Sequence, residues 1–473
     1  MVDEGGGRII AVGEEGALAP GAAGVGAAGD VVYERLPGRA LLPGFVNAHS
    51  HAFQRLIRGR TQWRPAGGAR SDFWSWRSAM YDAALALTPE DVYDVSRACF
   101  LEMLHAGYTT VGEFHYLHRD PRGERYADPN ELAHRVIAAA ESVGIRIVLL
   151  NVCYATGGIG QPLLAEQRRF ATLDPGEFLE DTGALLRAYA DRAGVTVGVA
   201  PHSVRAVPRE WLGELHAWAR GRDLPFHIHA SEQPAEVEAS VAAWGLRPIE
   251  VLAAEGVLDE RATVVHATHL TPGEVGVLGE SGATVCACPT TERDLGDGFL
   301  PGLELLEAGA RLAIGSDSQT VIDPFEEVRL VEYHERLRRL RRVVVAEGAG
   351  WGVVGAGEPA RGADPASPTG DRLENAPPLL ELGTAGGACS LRVPTGAIEP
   401  GLLADFIAVD LEHPHLAGFT PETLGAILAL SAPAAVVADV WVGGVRRVEG
   451  GNHPMDEVAP VALCEVAKRV GAP

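Results

Sequence analysis

Histidines in pairs are the first residues of this chain that could do chemistry. His49-Ser50-His51 ends an apolar run, and residues two apart on a strand point the same way, so both imidazoles can reach one metal ion. A single H-x-H is weak evidence, because a buried histidine is more often a hydrogen-bonded core group. The theme recurs, however, at the ends of three more apolar runs. His227-Ile228-His229 ends one with Glu232 just beyond, His266 ends another, and Asp317 ends a third in Ile-Gly-Ser-Asp-Ser. Polar groups at four such ends point to a shared metal centre. Three histidines and an aspartate, with no thiolate, suit one Zn²⁺ per chain, with Fe²⁺, Mn²⁺ or Co²⁺ also compatible. Cys286 and Cys288 form a C-x-C that lacks partner ligands and reads as a pair of small buried residues.

The elements that must carry these groups follow from hydrophobic patterning. Short β-branched runs fall at Leu42–His49, Thr109–Phe114, Ile145–Val152, Val195–Ala200, Phe226–Ala230, Thr263–Ala267, Thr284–Cys288 and Arg311–Gly315. Amphipathic stretches such as Pro129–Val143, Arg209–Arg220, Pro234–Trp244 and Pro272–Ser281 alternate with them, several opening on proline as helix N-termini often do. Eight strands each followed by a helix predict an α/β fold, a (β/α)8 barrel of the TIM type, whose reactive residues lie at the C-terminal strand ends. A doubly wound sheet usually offers a Gly-rich phosphate turn after its first strand, where this chain has histidines. Arg8–Val12 with Val31–Leu36, and Phe406–Asp410 with Val437–Val448, read as β-segments that both chain ends contribute to a small accessory β-sandwich. The expected organisation is residues 1–41 in the sandwich, 42–385 in the barrel, and 386–473 returning to the sandwich and a tail. Gly348–Pro378, rich in Gly, Ala and Pro, reads as a surface insertion in the barrel.

Composition narrows the partners. At 473 residues the chain is long enough for a large barrel with an accessory domain. Its net charge of −23 argues against nucleic acid or an anionic membrane as partner. An anionic substrate would therefore need dedicated arginines. Ala426–Gly444 contains Pro433 and Asp439 and reads as a short helix and a strand rather than a membrane span. Met1–Gly13 has no basic region and no signal-like apolar core, so a cytoplasmic location is expected. The six cysteines are too scattered for a disulfide framework.

The motifs P-G-F-V-N-A-H-S-H (Pro43–His51), H-I-H-A-S-E (His227–Glu232), V-H-A-T-H (Val265–His269) and G-S-D-S (Gly315–Ser318) resemble the mononuclear deaminase branch of the amidohydrolase superfamily. That resemblance implies His49, His51, His229 and Asp317 as metal ligands, selecting His229 over the deeper His227. Binuclear relatives bridge their metals with a carboxylated lysine, and the only lysine here, Lys468, lies outside any barrel strand, so one metal is expected. Longer stretches are similar to the formimidoylglutamate deiminase family of the histidine-degradation route. They are H-S-H-A-F-Q-R (His49–Arg55), F-W-S-W-R (Phe73–Arg77), G-E-F-H-Y (Gly112–Tyr116), Y-A-D-P (Tyr126–Pro129), A-P-H-S-V-R (Ala200–Arg205), C-P-T-T-E (Cys288–Glu292) and L-G-D-G (Leu295–Gly298). Over roughly residues 40–340 this resemblance implies substrate contacts from Gln54, Arg77, Tyr116, His202 and Arg205, and a homodimer is the expected assembly. Gln319 stands where a histidine of the family pattern is expected, and the Gly348–Pro378 insertion has no counterpart in that pattern.

The chemistry implied is hydrolysis of N-formimidoyl-L-glutamate to N-formyl-L-glutamate and ammonia. A metal lowers the pKa of a water toward neutrality. Asp317 takes a proton from the attacking water, Glu232 serves as general acid/base, and His266 steadies the developing charge. Two arginines suit a substrate with two carboxylates, since the planar guanidinium pairs bidentately with each. Two other readings compete: a deaminase of another small amidine, guanidine or aminated heterocycle, and a non-catalytic barrel. A heterocycle needs no pair of arginines, and a non-catalytic barrel would be expected to have lost a ligand or Glu232.

Overall fold

The computed structural model describes residues 1–3, 7–13, 34–63, 73–346 and 379–470. The Gly348–Pro378 insertion lies outside the described residues, as do residues 31–33 of the Val31–Leu36 segment. At the front, β1 (Val2–Asp3) and β2 (Arg8–Ile9) pair antiparallel with each other. Residues 34–36 are not a strand, and Arg8 instead bridges to Leu403.

The apolar run expected as one strand over 42–49 is divided. β3 (Arg39–Pro43) joins an antiparallel sheet, whereas β4 (Phe45–Ser50) opens the barrel. The break falls at Pro43-Gly44. Proline contributes no ladder N–H, and a Cβ on Gly44 would collide with the Thr109 side chain, so the chain changes sheets where only glycine fits.

The barrel continues through β5 (Tyr108–His115), β6 (Arg146–Cys153), β7 (Val195–Pro201), β8 (Phe226–Ala230), β9 (Ala262–His266), β10 (Thr284–Ala287) and β11 (Arg311–Ile314). These eight parallel strands are hydrogen-bonded in sequence order. Strands β4, β5 and β6 are buried along their whole length, as expected of parallel strands covered on both faces. Helices Arg209–Arg220, Pro234–Trp244 and Pro272–Ser281 stand where the patterning placed them. Thr88 and Thr271 cap helices Pro89–Ala106 and Pro272–Ser281, each accepting from the backbone N–H three residues on.

Closure between β11 and β4 is made at the C-terminal mouth. The Asp317 N–H donates to the His49 carbonyl and the His51 N–H to the Asp317 carbonyl, both at 3.0 Å. The same seam is covered by a helical segment, Leu379–Leu391, whose middle turn, Leu382–Gly386, is a π-helix. Its Gly-Thr-Ala-Gly-Gly sequence allows the backbone to lie directly on the strands: a Cβ on Gly387 would sit 2.7 Å from the Val46 carbonyl oxygen.

The second sheet, ordered β14-β13-β12-β3, joins the chain ends through β12 (Phe406–Asp410), β13 (Val437–Val442) and β14 (Val445–Val448). A bidentate pair fastens it to the barrel. Arg146 at the start of β6 meets Asp405 through Nε (3.1 Å) and Nη2 (3.0 Å), both side chains being buried. The architecture is thus a TIM-type barrel with an accessory unit built from both ends. No helix among the described residues is long and apolar enough to cross a membrane, and all six cysteines are free.

Candidate active site

His49, His51, His229 and Asp317 converge at the barrel mouth. His51 donates from Nδ1 to the Phe114 carbonyl (3.0 Å) and His229 from Nδ1 to the His202 carbonyl (2.9 Å). A carbonyl oxygen can only accept, so both rings carry their proton on Nδ1 and turn an Nε2 lone pair inward. Burial lowers the pKa of all three rings, that of His49 to about 3. The His49 Nε2 then lies 3.1 Å from His51 Nε2 and 3.0 Å from His229 Nε2. The nearest Asp317 oxygen is 3.5 Å from His49 Nε2 and 3.3 Å from His51 Nε2.

With lone pairs facing it from both His51 and His229, a neutral His49 Nε2 can donate to at most one of them, so the three nitrogens do not satisfy each other. Ligands about 2.0–2.1 Å from a tetrahedral Zn²⁺ lie about 3.3 Å apart, and the measured separations match that edge. The three-histidine donor set therefore fits a divalent metal, with an Asp317 oxygen close to two of the rings. Burial alone would raise the Asp317 pKa, but its imidazole neighbours, His49 foremost and then His266 and His51, outweigh that and hold it well below the usual carboxylate range.

Several residues here adopt backbone conformations that L-residues rarely take. Ser231, His266, Ala267, Asp317 and Gln319 have φ between 46° and 72°. Such strain persists only where surrounding structure enforces it, and here it re-aims side chains at strand ends. His266 donates from Nδ1 to Glu292 (3.3 Å) and sets Nε2 3.8 Å from Glu232 and 3.7 Å from Asp317. Burial alone would lower its pKa; Glu232, Glu292 and Asp317 outweigh that and raise it well above the ordinary value. His266, Cys288 and Asp317 form a second group of ligand-type atoms. Burial pushes the Cys288 thiol well up, and a protonated thiol is a poor ligand, so the three-histidine cluster is the better metal site. His227, two residues below His229, bonds through Nε2 to the Ser390 carbonyl (3.1 Å) and does not join the cluster.

A cavity opens above these groups, and Gln54, Arg77, Tyr116, His202 and Arg205 all line it together with Glu232, His266 and Asp317. Gln54 donates to the Tyr116 hydroxyl (2.7 Å) and leaves its own buried oxygen unpartnered. Arg77, on helix Phe73–Ala86, lies over the rings of Trp74 and Tyr81. No carboxylate among the described residues pairs with it. Arg205 differs: its Nη2 lies 3.2 Å from Glu232, a pairing that the spacing of the two residues did not announce.

The cavity also contains groups that sequence reasoning left out. Tyr81, Tyr154 and Phe170 form much of its wall. Glu113 accepts from Ser50 (2.6 Å) and from the Ala52 N–H (2.7 Å), pinning the H-x-H turn from the neighbouring strand. Gln319, standing where a histidine was expected, donates to Ser50 (2.9 Å) and to the Asp317 carbonyl (2.7 Å), and so ties the eighth strand end to the first. Glu113 and the Glu292 that orients His266 lie in motifs quoted above, G-E-F-H-Y and C-P-T-T-E. The signal was present, but nothing in the residue types specified the partner.

Comparison with known proteins gives the same picture. The sequence profile of the amidohydrolase family matches residues 40–447. Formimidoylglutamate deiminase from Pseudomonas aeruginosa is 37% identical over 434 residues, covering 92% of this chain and 90% of the relative. An amidohydrolase from Brucella melitensis superposes with a TM-score of 0.78 at 35% identity, covering 91% and 90% of the two chains. An adenosine deaminase from Xanthomonas campestris, whose structure contains bound zinc, superposes with a TM-score of 0.73 at 26% identity, covering 92% and 86%.

Proposed function

The chain belongs to the amidohydrolase family, and from that premise we propose that it hydrolyses N-formimidoyl-L-glutamate to N-formyl-L-glutamate and ammonia with one zinc ion. The observation that carries this reading is a pair of arginines, Arg77 and Arg205, lining a cavity directly above the histidine cluster. A half-buried guanidinium such as Arg77, with no carboxylate partner among the described residues, is a charge arranged for an anion. Zinc would be held by His49, His51, His229 and Asp317, and when bound it supplies Lewis acidity and lowers the pKa of a water beside it.

The residues supply the rest. Asp317 is placed to accept a proton from water as it attacks the amidine carbon. Glu232, held by Arg205 on one oxygen and facing His266 with the other, protonates the imino nitrogen. It then takes up the proton of the new hydroxyl as the carbonyl forms, passes it to the departing ammonia, and is restored by the proton that Asp317 accepted. His266, anchored by Glu292, offers positive charge where the carbon becomes tetrahedral. Arg77 and the unengaged Nη1 of Arg205 bind the two carboxylates, while Gln54, Tyr116 and His202 fix the amidine arm between them.

The aromatic wall of Tyr81, Tyr116, Tyr154 and Phe170 favours a second reading, deamination of a flat heterocycle, but such a substrate leaves Arg77 unmatched. The deciding experiment follows ammonia release by the zinc-loaded protein from N-formimidoyl-L-glutamate, formamidine and adenosine. The proposal expects N-formimidoyl-L-glutamate to have the highest kcat/KM, and adenosine as the best substrate would overturn it.

A further inference from the structure

We infer that Gln167 is a positioning residue that holds the Tyr81 and Tyr154 hydroxyls so that the pair directs a proton at a substrate carboxylate beside Arg77. This rests on the reading above in requiring a carboxylate-bearing substrate. Gln167 lies on the short 3-10 turn Ala165–Phe170 and is fully buried. Its orientation is fixed by one contact: the Leu164 N–H donates to Oε1 at 2.8 Å. A backbone N–H cannot accept, so the reversed amide would set two donors against each other. Nε2 therefore faces the cavity wall, where it donates one hydrogen to the Tyr81 oxygen and the other to the Tyr154 oxygen, both at 2.9 Å.

Arg77 adds donors to the same two atoms. Its Nε donates to the Tyr81 hydroxyl, and its Nη2 lies 3.5 Å from that of Tyr154. A phenol has one hydrogen and two lone pairs. With incoming N–H groups on the lone pairs, each O–H must point away from both Gln167 and Arg77. The two phenols also neighbour one another closely enough to hydrogen-bond, which uses at most one of the two protons and leaves at least one without an acceptor among the described residues. Both tyrosines are buried and line the cavity with Arg77 and Arg205. A buried hydroxyl proton left without an acceptor, next to a guanidinium without a carboxylate partner among the described residues, makes a cluster that an acceptor-only group completes. A carboxylate is such a group. A glutamate at 167 would have the opposite effect: it would accept from both phenols and turn their lone pairs toward the substrate.

The test measures calorimetric affinity of the zinc-loaded, full-length protein for glutarate, with melting temperature and zinc content as controls. Gln167→Met should weaken glutarate binding by about 10- to 100-fold, the usual worth of hydrogen bonds to a charged group, and the isosteric Gln167→Glu should weaken it further. In a Tyr81→Phe/Tyr154→Phe background, Gln167→Met should add less than about threefold, because its effect travels through those hydroxyls. Should the Met variant fail to fold, Tyr81→Phe and Tyr154→Phe alone decide, each expected to weaken glutarate. The inference is overturned if a folded Gln167→Met binds glutarate like the wild type. A full additive loss in the double-Phe background, unchanged affinity in both single Phe variants, or a wild type that binds no glutarate would also overturn it. Turnover of N-formimidoyl-L-glutamate is read separately. A protein that binds glutarate through this cluster but releases no ammonia from that compound upholds the inference and sinks the proposed activity.

Discussion

Arg77 and Arg205 line the same cavity yet should fail in different ways, because one has a protein partner and the other has none. Arg77→Met removes a guanidinium that meets hydroxyls and ring faces but no described carboxylate. Little is lost in the free protein, whereas a bound carboxylate loses its charged partner at a cost of roughly 2–4 kcal/mol. That corresponds to about a 30- to 1000-fold fall in kcat/KM for N-formimidoyl-L-glutamate, carried mostly by KM. Formamidine has no carboxylate, so its slow turnover should change by less than about threefold, well below the effect on the dianion.

Arg205→Met takes the partner from Glu232, whose side chain is only 8% exposed. An unpaired buried charge costs about 3–5 kcal/mol. The carboxylate also loses the contact that orients it, and proton transfer will fail for every substrate. Here kcat should fall for formamidine as well as for N-formimidoyl-L-glutamate, and the melting temperature should drop. The assay is steady-state ammonia release for both substrates in wild type and both variants, with zinc content verified. Equal slowing of the two substrates by Arg77→Met would refute the argument, and so would a purely KM-borne, dianion-specific loss in Arg205→Met.

Three further outcomes are expected. Glu232→Gln should keep its metal and lower kcat by on the order of 10²–10⁴, the contribution of a positioned acid/base; near-normal turnover would remove Glu232 from proton transfer. Elemental analysis should find about one divalent metal per chain, and chelation should abolish ammonia release and lower the melting temperature, since binding to the folded state alone stabilises it; two metals per chain would contradict a single centre. Burial pushes the His118 imidazole down to about 4. The unfolded chain therefore takes up a proton near pH 6.5 that the folded one refuses, and stability should fall between about pH 6.5 and 4, by up to roughly 3 kcal/mol. Thermal melts of the wild type and His118→Gln across that range should converge toward low pH.

The fold was legible wherever periodicity alone decides. Helices Arg209–Arg220, Pro234–Trp244 and Pro272–Ser281 and strand β8 fall where the apolar pattern placed them, because each buries one continuous stripe or run. The division of 39–50 into two strands was not legible. Leu41 to Phe45 reads as one apolar run, and only Thr109, more than sixty residues away, shows why the chain must turn at Gly44. Leu379–Leu391 was missed for a related reason. Gly-Thr-Ala-Gly-Gly has poor helix propensity, and it forms a helical turn because the barrel seam requires a backbone without side chains on that face.

The site divides along the same line. Ligand-type residues at four of the barrel's strand ends can be read from the chain, since few structural roles ask for histidine or aspartate there. What the chain did not declare is how those groups are held. Gln167 is an unremarkable glutamine in Glu-Gln-Arg-Arg, and Glu113 a lone acid in a β-strand. Each acquires meaning only from a partner distant in sequence: Tyr81 for Gln167, Ser50 for Glu113. A hydrogen bond has direction, and that direction comes from geometry that no spacing rule encodes. The pairing of Arg205 with Glu232 makes the point most sharply, since each residue had been assigned its own task. On the proposed roles, their contact means that the arginine meant for a carboxylate also orients the proton carrier, so substrate recognition and proton transfer would share one guanidinium. On that reading, removing Arg205 disturbs both tasks at once, whereas removing Arg77 disturbs recognition alone.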